Sequence, residues 1–207
     1  GRAAGIVGAG DDVHRLSDRT VTGTIDYDAV TDDADIVAWS REYCRRVRRE
    51  RGVDVRFDLV DWAVSTRAKR RAAAVKRPQL PDATVGDPYD WDALDGSDGR
   101  PLPCTLSLTR EAFETFDRTA WEATLRHELI HVEQYQRDGT TDHGPAFRDR
   151  AAELDTDIRC QRFAEATYVL RCERCDDVVA RRYRDCKLVR ERDRYRSDCC
   201  GATLTLA

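Results

Sequence analysis

The sequence predicts an α+β domain, with helices packed on a small sheet, followed by a small β unit organised by cysteines. Three observations predict it. Apolar residues recur at helical spacing on either side of segments that alternate like strands. One helical stretch carries two histidines four positions apart, with a glutamate between them. Paired cysteines recur between Cys172 and Cys200, near the end of the chain. At 207 residues, the chain has room for one ordinary domain and an appendage.

Residues 1–32 are rich in Gly, Asp and Thr without periodicity and read as a poorly ordered lead-in. Gly5 to Gly10 imitates a dinucleotide-binding turn, but no strand precedes it and Val13 stands where the third glycine belongs. His14 has no nearby partner and no role. The main domain is expected over 33–160. Asp33–Arg51 reads as a helix with the stripe Ile36, Val37, Trp39, Tyr43, Cys44 and Val47, stopped by Gly52. Val53–Val64 alternates as a strand continuing near Trp62–Thr66, and 67–77 reads as a second, strongly basic strand.

Residues 78–103 hold five prolines and six aspartates, so they read as a loop insertion. The aspartates miss the spacing of a calcium loop. Cys104–Leu108 reads as a short strand, and Thr109 with Glu111 opens a helix. Trp121–Arg137 is helical, its buried stripe marked by Trp121, Leu125, Leu129 and Val132.

That last helix contains His127-Glu128-Leu129-Ile130-His131. Four helical residues turn 400°, so the two imidazoles lie about 40° apart on one face and can share a Zn²⁺. Glu128 stands where it can take a proton from a metal-activated water. A third protein ligand is needed. Gly139 stops the helix and Pro145 suits the first turn of the next, which leaves His143 at a helix entrance and Glu153 on that helix as its rival. The metzincin spacing fails, since Gln134 and Arg137 stand where its Gly and His belong, and the chain has no Met for a Met-turn.

His127-Glu128-Leu129-Ile130-His131, followed by His143-Gly144-Pro145-Ala146-Phe147, resembles the SprT-like (Spartan-type) metalloprotease family. The Leu106–Thr109 strand, the Trp121 helix and the Trp62–Ala74 region are similar too, so the resemblance spans roughly residues 34–157. It implies a zincin-like fold, with a small sheet lying against the active-site helix. It also implies three histidine ligands, His127, His131 and His143, with Glu128 as general base. The 78–103 stretch is longer than the family needs.

Residues 168–207 read as a zinc ribbon, a feature that many SprT-like proteins carry at this end. Cys172 and Cys175 form one pair, and Cys199 and Cys200 the other. Cys186 is the alternative for the fourth position. Ser197 stands where a regular second pair would have cysteine, and Asp176 where glycine is usual. Val178–Tyr183 and Leu188–Tyr195 would supply the hairpin. Cys44, Cys104 and Cys160 fall on apolar stretches and read as core thiols. One catalytic and one structural zinc are therefore expected.

The net charge of −4 conceals an uneven distribution. Residues 1–40, 41–77, 78–167 and 168–207 carry −5, +8, −10 and +3. Such asymmetry suggests a polyanion partner. The candidate DNA contacts are Arg67, Lys69, Arg70 and Arg71 in the first basic block and Arg182, Arg184 and Arg194 in the second. Tyr183 and Tyr195 are interleaved for base stacking. The chain has 28 Asp, 11 Glu and 3 Lys, which resembles proteins of salt-loving archaea. Molar salt would weaken phosphate contacts. No apolar run reaches the about 18 residues of a membrane span, and the start has no secretory apolar region, so a cytoplasmic monomer is expected, with nucleoid association as an option.

The expected chemistry is peptide hydrolysis on DNA-crosslinked or DNA-associated proteins, the substrate class that the resemblance implies. Cys104–Leu108 is expected to align an extended substrate by edge pairing, and Tyr135 is the one oxyanion candidate. The alternatives are an idle zincin fold in a nucleic-acid-binding, transcription-associated protein and a metal hydrolase with a non-protein substrate.

Overall fold

Asp32 opens the first long helix of the computed structural model, which describes residues 14–15, 26–159 and 161–207. Its carboxylate accepts the Asp35 N–H at 2.8 Å, capping α1, Asp33–Arg51. The stripe from Ile36 to Val47 is buried, and α1 packs on a second long helix and on the sheet. Gly52, left-handed at φ 60°, ends it. Gly5–Gly10 and Cys160 lie outside the described residues. Within the lead-in, His14–Arg15 form a two-residue strand, β1, and Tyr27–Ala29 one turn of 3-10 helix.

The strand predicted from Val53 begins only at Val60: β2 is Val60–Ser65. Val53, Val55 and Leu59 are buried, as their alternation implies. Their backbone, however, is satisfied by a helix. The second long helix, α3, spans Arg118–Asp138. Its Gln136 accepts the Arg56 N–H at 2.8 Å and donates to the Arg56 carbonyl at 3.0 Å, while its Glu133 accepts the Asp54 N–H at 2.8 Å. Side chains of α3 thus take the part of a neighbouring strand.

The basic stretch yields only β3, Ala73–Lys76, and β4 is Cys104–Thr109. The strand order is β1-β2-β4-β3, with β2 and β4 parallel and the other pairs antiparallel. This corrects the expectation for Cys104–Leu108. That strand is bonded on both sides and cannot pair with a substrate, whereas β3 holds the edge. A short helix, α2, Arg110–Thr115, follows. Thr109 does not cap it. Its hydroxyl donates to the Arg71 carbonyl at 2.7 Å and its N–H to that of Ala72 at 2.9 Å.

Helix α3 starts three residues before the predicted Trp121, because Asp117 accepts the Ala120 N–H at 2.8 Å. Its other end explains the Pro/Asp-rich stretch. The Trp91 indole N–H donates to the Gln136 carbonyl at 3.0 Å, and the Tyr89 N–H to the Arg137 carbonyl at 2.8 Å. The Gly86 N–H meets the buried Asp138 carboxylate at 2.9 Å. Residues 78–103 therefore cap the helix that carries His127 and His131, satisfying carbonyls that its last turn leaves open. After Gly139 the chain turns into α4, Pro145–Glu153.

These elements form one compact unit ending at Phe163; Ala164–Ala207 form another. The second unit is a three-stranded antiparallel sheet of order β6-β5-β7: β5 is Tyr168–Cys172, β6 Val178–Arg182 and β7 Leu204–Leu206. The predicted second arm, Leu188–Tyr195, is not a strand. Lys187–Arg190 form α5 and Arg192–Arg194 a 3-10 turn, which folds Val189 onto Leu170 and Leu204 in a small core. No helix among the described residues is long and apolar enough to cross a membrane.

Gly139 and Gly52 give a matched test of the helix ends. Both have φ near +60–70°. A Cβ at Gly139 would come within 2.9 Å of Tyr89 and 3.0 Å of Leu80, whereas one at Gly52 meets nothing within 4 Å. We expect Gly52→Ala to lower stability by about 1 kcal/mol and Gly139→Ala by about 2 kcal/mol or more. All four tryptophans lie in the first unit, so urea unfolding followed by their fluorescence reads both variants.

Candidate metal centre

Helix α3 sets His127 and His131 one turn apart, and the turn after Gly139 returns His143 to them. The Nε2 atom of His143 lies 3.2 Å from that of His131 and 3.2 Å from that of His127. Hydrogen bonding on the far side of two rings fixes which nitrogen is bare. His127 Nδ1 faces the Asp157 carbonyl at 2.9 Å, an acceptor only, so Nδ1 carries the proton. Gln134 donates its amide to the Asp142 carboxylate at 3.1 Å, which turns its oxygen to His131 Nδ1 at 3.2 Å. Both Nε2 lone pairs therefore point inward.

Tetrahedral zinc at about 2.0–2.1 Å from each nitrogen would separate them by about 3.3–3.4 Å, so the set fits such an ion. Burial keeps the rings neutral: it pushes His131 down to about 3 and lowers His127 and His143 as well. The buried Phe147 ring lies 4.6–4.9 Å from all three imidazoles and forms an apolar floor. Glu153, the rival third ligand, is turned elsewhere, its carboxylate 2.6 Å from Arg150.

Glu128 is buried beside this set, and its Oε2 has no hydrogen-bond partner. Burial raises its carboxyl to about 7, opposed by the Val75 N–H and by Arg71. It opens onto a cavity of about 570 Å³, bounded by the histidines, the β3 edge at Ala73–Val75 and arginine side chains. Tyr135 does not reach that cavity. Its ring packs edge-on against Trp91 and its hydroxyl is buried without a partner, so the oxyanion role expected of it is withdrawn.

The predicted nucleic-acid residues separate. Arg70 and Arg71 line the cavity, while Lys69 is paired with Glu111 and Arg67 is exposed on the same turn. In the second unit Arg194 meets Glu191 at 3.0 Å, Arg182 donates to the Arg181 carbonyl at 2.9 Å, and Arg184 is exposed.

The second unit gathers its own donor set. The sulfurs of Cys172, Cys175, Cys199 and Cys200 lie within 4.8 Å of one another. Cys175 and Cys199 are 3.4 Å apart, far beyond the about 2.05 Å of a disulfide. Gly201 at φ 63° and Asp176 at φ 59° take the left-handed positions of the two turns, so Asp176 does what glycine usually does. Ser197 is no ligand. Its hydroxyl donates to Cys172 Sγ at 3.2 Å, lowering that thiol's pKa, and accepts the Ala202 N–H at 3.1 Å. Cys186, the alternative ligand, instead packs against the small core. Cys44 and Cys104 are buried thiols, pushed up by burial.

Gln134, Asp142 and the Asp157 carbonyl escaped the sequence reading. Gln134 could have been found, since it lies three residues past His131 on the same helical face. The Asp157 carbonyl gives no local signal.

A mixed sheet backed by a helix with three converging imidazoles and a buried glutamate defines a metallopeptidase-type domain. The chain belongs to the SprT-like family, whose model matches residues 38–168. No curated protein and no solved structure matches the chain, so substrate and partner have to be argued from the site itself.

Gln134→Leu would remove the acceptor that orients His131 while leaving all three imidazoles. We expect metal affinity to fall about tenfold or more, measured by competition with a chromogenic chelator. Unchanged affinity would show that Gln134 does not orient the ring.

Proposed function

We propose that the chain is a zinc-dependent endopeptidase acting on proteins associated with, or crosslinked to, DNA, and that it works as a cytoplasmic, nucleoid-associated monomer. The observation that carries the hydrolytic part is the convergence of three neutral imidazoles beside a buried carboxylate with one free oxygen. His127, His131 and His143 would hold one zinc, and Cys172, Cys175, Cys199 and Cys200 a second. When bound at the histidines, zinc supplies Lewis acidity, polarising a carbonyl and acidifying water. Glu128 takes up the proton at its free oxygen and returns it to the departing amine. Its raised pKa near 7 suits both halves of that exchange. The open edge of β3 can receive an extended backbone, the role first expected of β4. The DNA part is supported by the two basic segments of +8 and +3 and by Tyr195, which is exposed.

Glu128→Gln keeps the ligands and removes the proton acceptor. The wild type should degrade the protein of a protein–DNA crosslink and leave the same protein intact when it is uncrosslinked and DNA is absent. The variant should be slower by about 10²–10⁴-fold. Cleavage at equal rates in both proteins would overturn the assignment of Glu128. DNA binding without cleavage in either would favour a catalytically idle, nucleic-acid-binding protein.

Metal analysis should find two zincs per chain. Cys175→Ser with Cys199→Ser should leave one and unfold residues 164–207, because a structural zinc contributes folding energy directly. Two zincs in that variant would remove the cysteine site from the proposal.

A further inference from the structure

The cavity carries charges for which hydrolysis has no use. Arg70 and Arg71 line it beside β3, Arg148 on α4, and Arg159 after α4. All four are exposed, and none has an ion-pair or hydrogen-bond partner for its side chain among the described residues. Arg46, Arg100, Arg110, Arg118, Arg150 and Arg194 each meet a carboxylate. Other exposed arginines, Arg45, Arg48 and Arg184 among them, are unpaired among the described residues too. They stand singly or in sequence on one element, whereas the four of the cleft converge on one cavity from separate segments. The acids in the lining are Glu128, which is buried, and Asp142, which is held by Gln134. A chain of net charge −4 thus places four unneutralised cations around one cavity beside its three histidines.

The roots of Arg71, Arg148 and Arg159 are fixed. Thr109 grips the carbonyls of Arg71 and Ala72 at 2.7 and 2.9 Å. The segment leading to Arg159 is tied to α3 three times. Arg126 donates to the Asp155 carbonyl at 2.7 Å, the Thr156 hydroxyl to that of Ala123 at 2.6 Å, and His127 to that of Asp157 at 2.9 Å. Arg148 stands on a regular helix. Arg71 also acts electrostatically on Glu128, and Arg159 on His143, so the cations approach the reacting centre from different walls.

We infer that the cleft selects acidic peptide segments, with Asp or Glu side chains flanking the scissile bond and received by Arg70, Arg71, Arg148 and Arg159. The inference rests on the peptidase reading above and names its substrate class. A guanidinium receives a carboxylate through two parallel hydrogen bonds, and a fixed root lowers the entropy lost on binding. In an extended peptide paired to β3, neighbouring side chains point to opposite sides, so successive acidic residues can meet different walls. A nucleic-acid strand suits the cavity less well, because no Phe, Tyr or Trp lines it for bases to stack on and its three imidazoles face one another.

The test measures binding apart from cleavage. Zinc-loaded full chain carrying Glu128→Gln is titrated into two short fluorescent peptides, one with Asp and Glu around a central apolar pair, the other with Asn and Gln at the same positions. The acidic peptide should bind about tenfold or more tightly, as two exposed ion pairs near the top of their usual strength would give. Arg70→Gln, Arg71→Gln, Arg148→Gln and Arg159→Gln together should reduce that advantage to less than about twofold while metal content is kept. Equal binding of the two peptides, or a preference that survives the four substitutions, overturns the inference. So does a single-stranded oligonucleotide whose affinity collapses in the four-arginine variant while the acidic peptide's does not. If wild-type protein shows the arginine-dependent preference and cleaves neither peptide, the acidic site stands and the peptidase reading falls. If it cleaves both at the same rate, the peptidase reading stands and the acidic preference falls.

Discussion

Helix α3 buries an unusual set of polar side chains, and each of them requires a partner inside the protein. His127, Glu128, His131, Gln134, Gln136 and Asp138 are all at or below 9% exposure. A buried polar group without a hydrogen bond costs about 1–3 kcal/mol, so six in one helix would unfold a domain of ordinary stability. Much of the irregular backbone of the first unit supplies what they need. Arg56 satisfies Gln136, Gly86 satisfies Asp138, and the Asp157 carbonyl satisfies His127. Glu128 stands apart, with one oxygen unpartnered beside the cleft, where the proposed hydrolysis would use it.

The same requirement explains how the imidazoles become ligands. A histidine offers a lone pair in a given direction only when its other nitrogen holds the proton. His127 and His131 obtain that from separate partners, a carbonyl far along the chain and a glutamine held by Asp142. His143 is the more open ring and sits on a turn, so the three bare nitrogens combine two rigid positions with one adaptable one. The His143 lone pair lies 3.2 Å from each of the other two, a repulsion that a cation between them would relieve, so a bound metal would also stabilise the fold.

What the sequence disclosed follows the range of the forces involved. The α3 helix, its histidine spacing, Gly139 as its stop and Pro145 as the next start depend on neighbours within a turn, and all were legible. His143 was named alongside Glu153, and only the tertiary turn separated them, since Glu153 is occupied by Arg150. Val53–Leu59 alternates in burial like a strand, but its hydrogen bonds go to Gln136 and Glu133, about 80 residues away in sequence, which no local pattern reveals. β4 looked like a free strand because pairing partners are invisible to periodicity. Residues 78–103 read as surplus loop, yet Trp91 and Tyr89 close the end of the helix that carries His127 and His131. In the cysteine unit the ligand spacing was legible, whereas the Leu188–Tyr195 hairpin was not, because apolar residues that could lie on a strand instead fold over a three-residue core.

Charge shows most clearly why a segment sum is only a starting point. The +8 of residues 41–77 reads as one basic face in the sequence, but the fold scatters it. Arg46 and Arg49 on α1 meet Glu122 and Glu42, Arg56 meets Asp58, and Lys69 meets Glu111. What remains beside the metal-binding set is Arg70 and Arg71, joined by Arg148 and Arg159 from a segment whose sum is −10. The cationic cleft is therefore assembled from opposite-signed parts of the chain. At high salt the long-range field of either segment is screened within a few ångströms, whereas a guanidinium in direct contact with a carboxylate keeps much of its attraction and its paired hydrogen bonds. A recognition site built from short, geometrically defined contacts is the form of electrostatics that best tolerates so ionic a composition, and it puts specificity at the scissile bond rather than in the net charge.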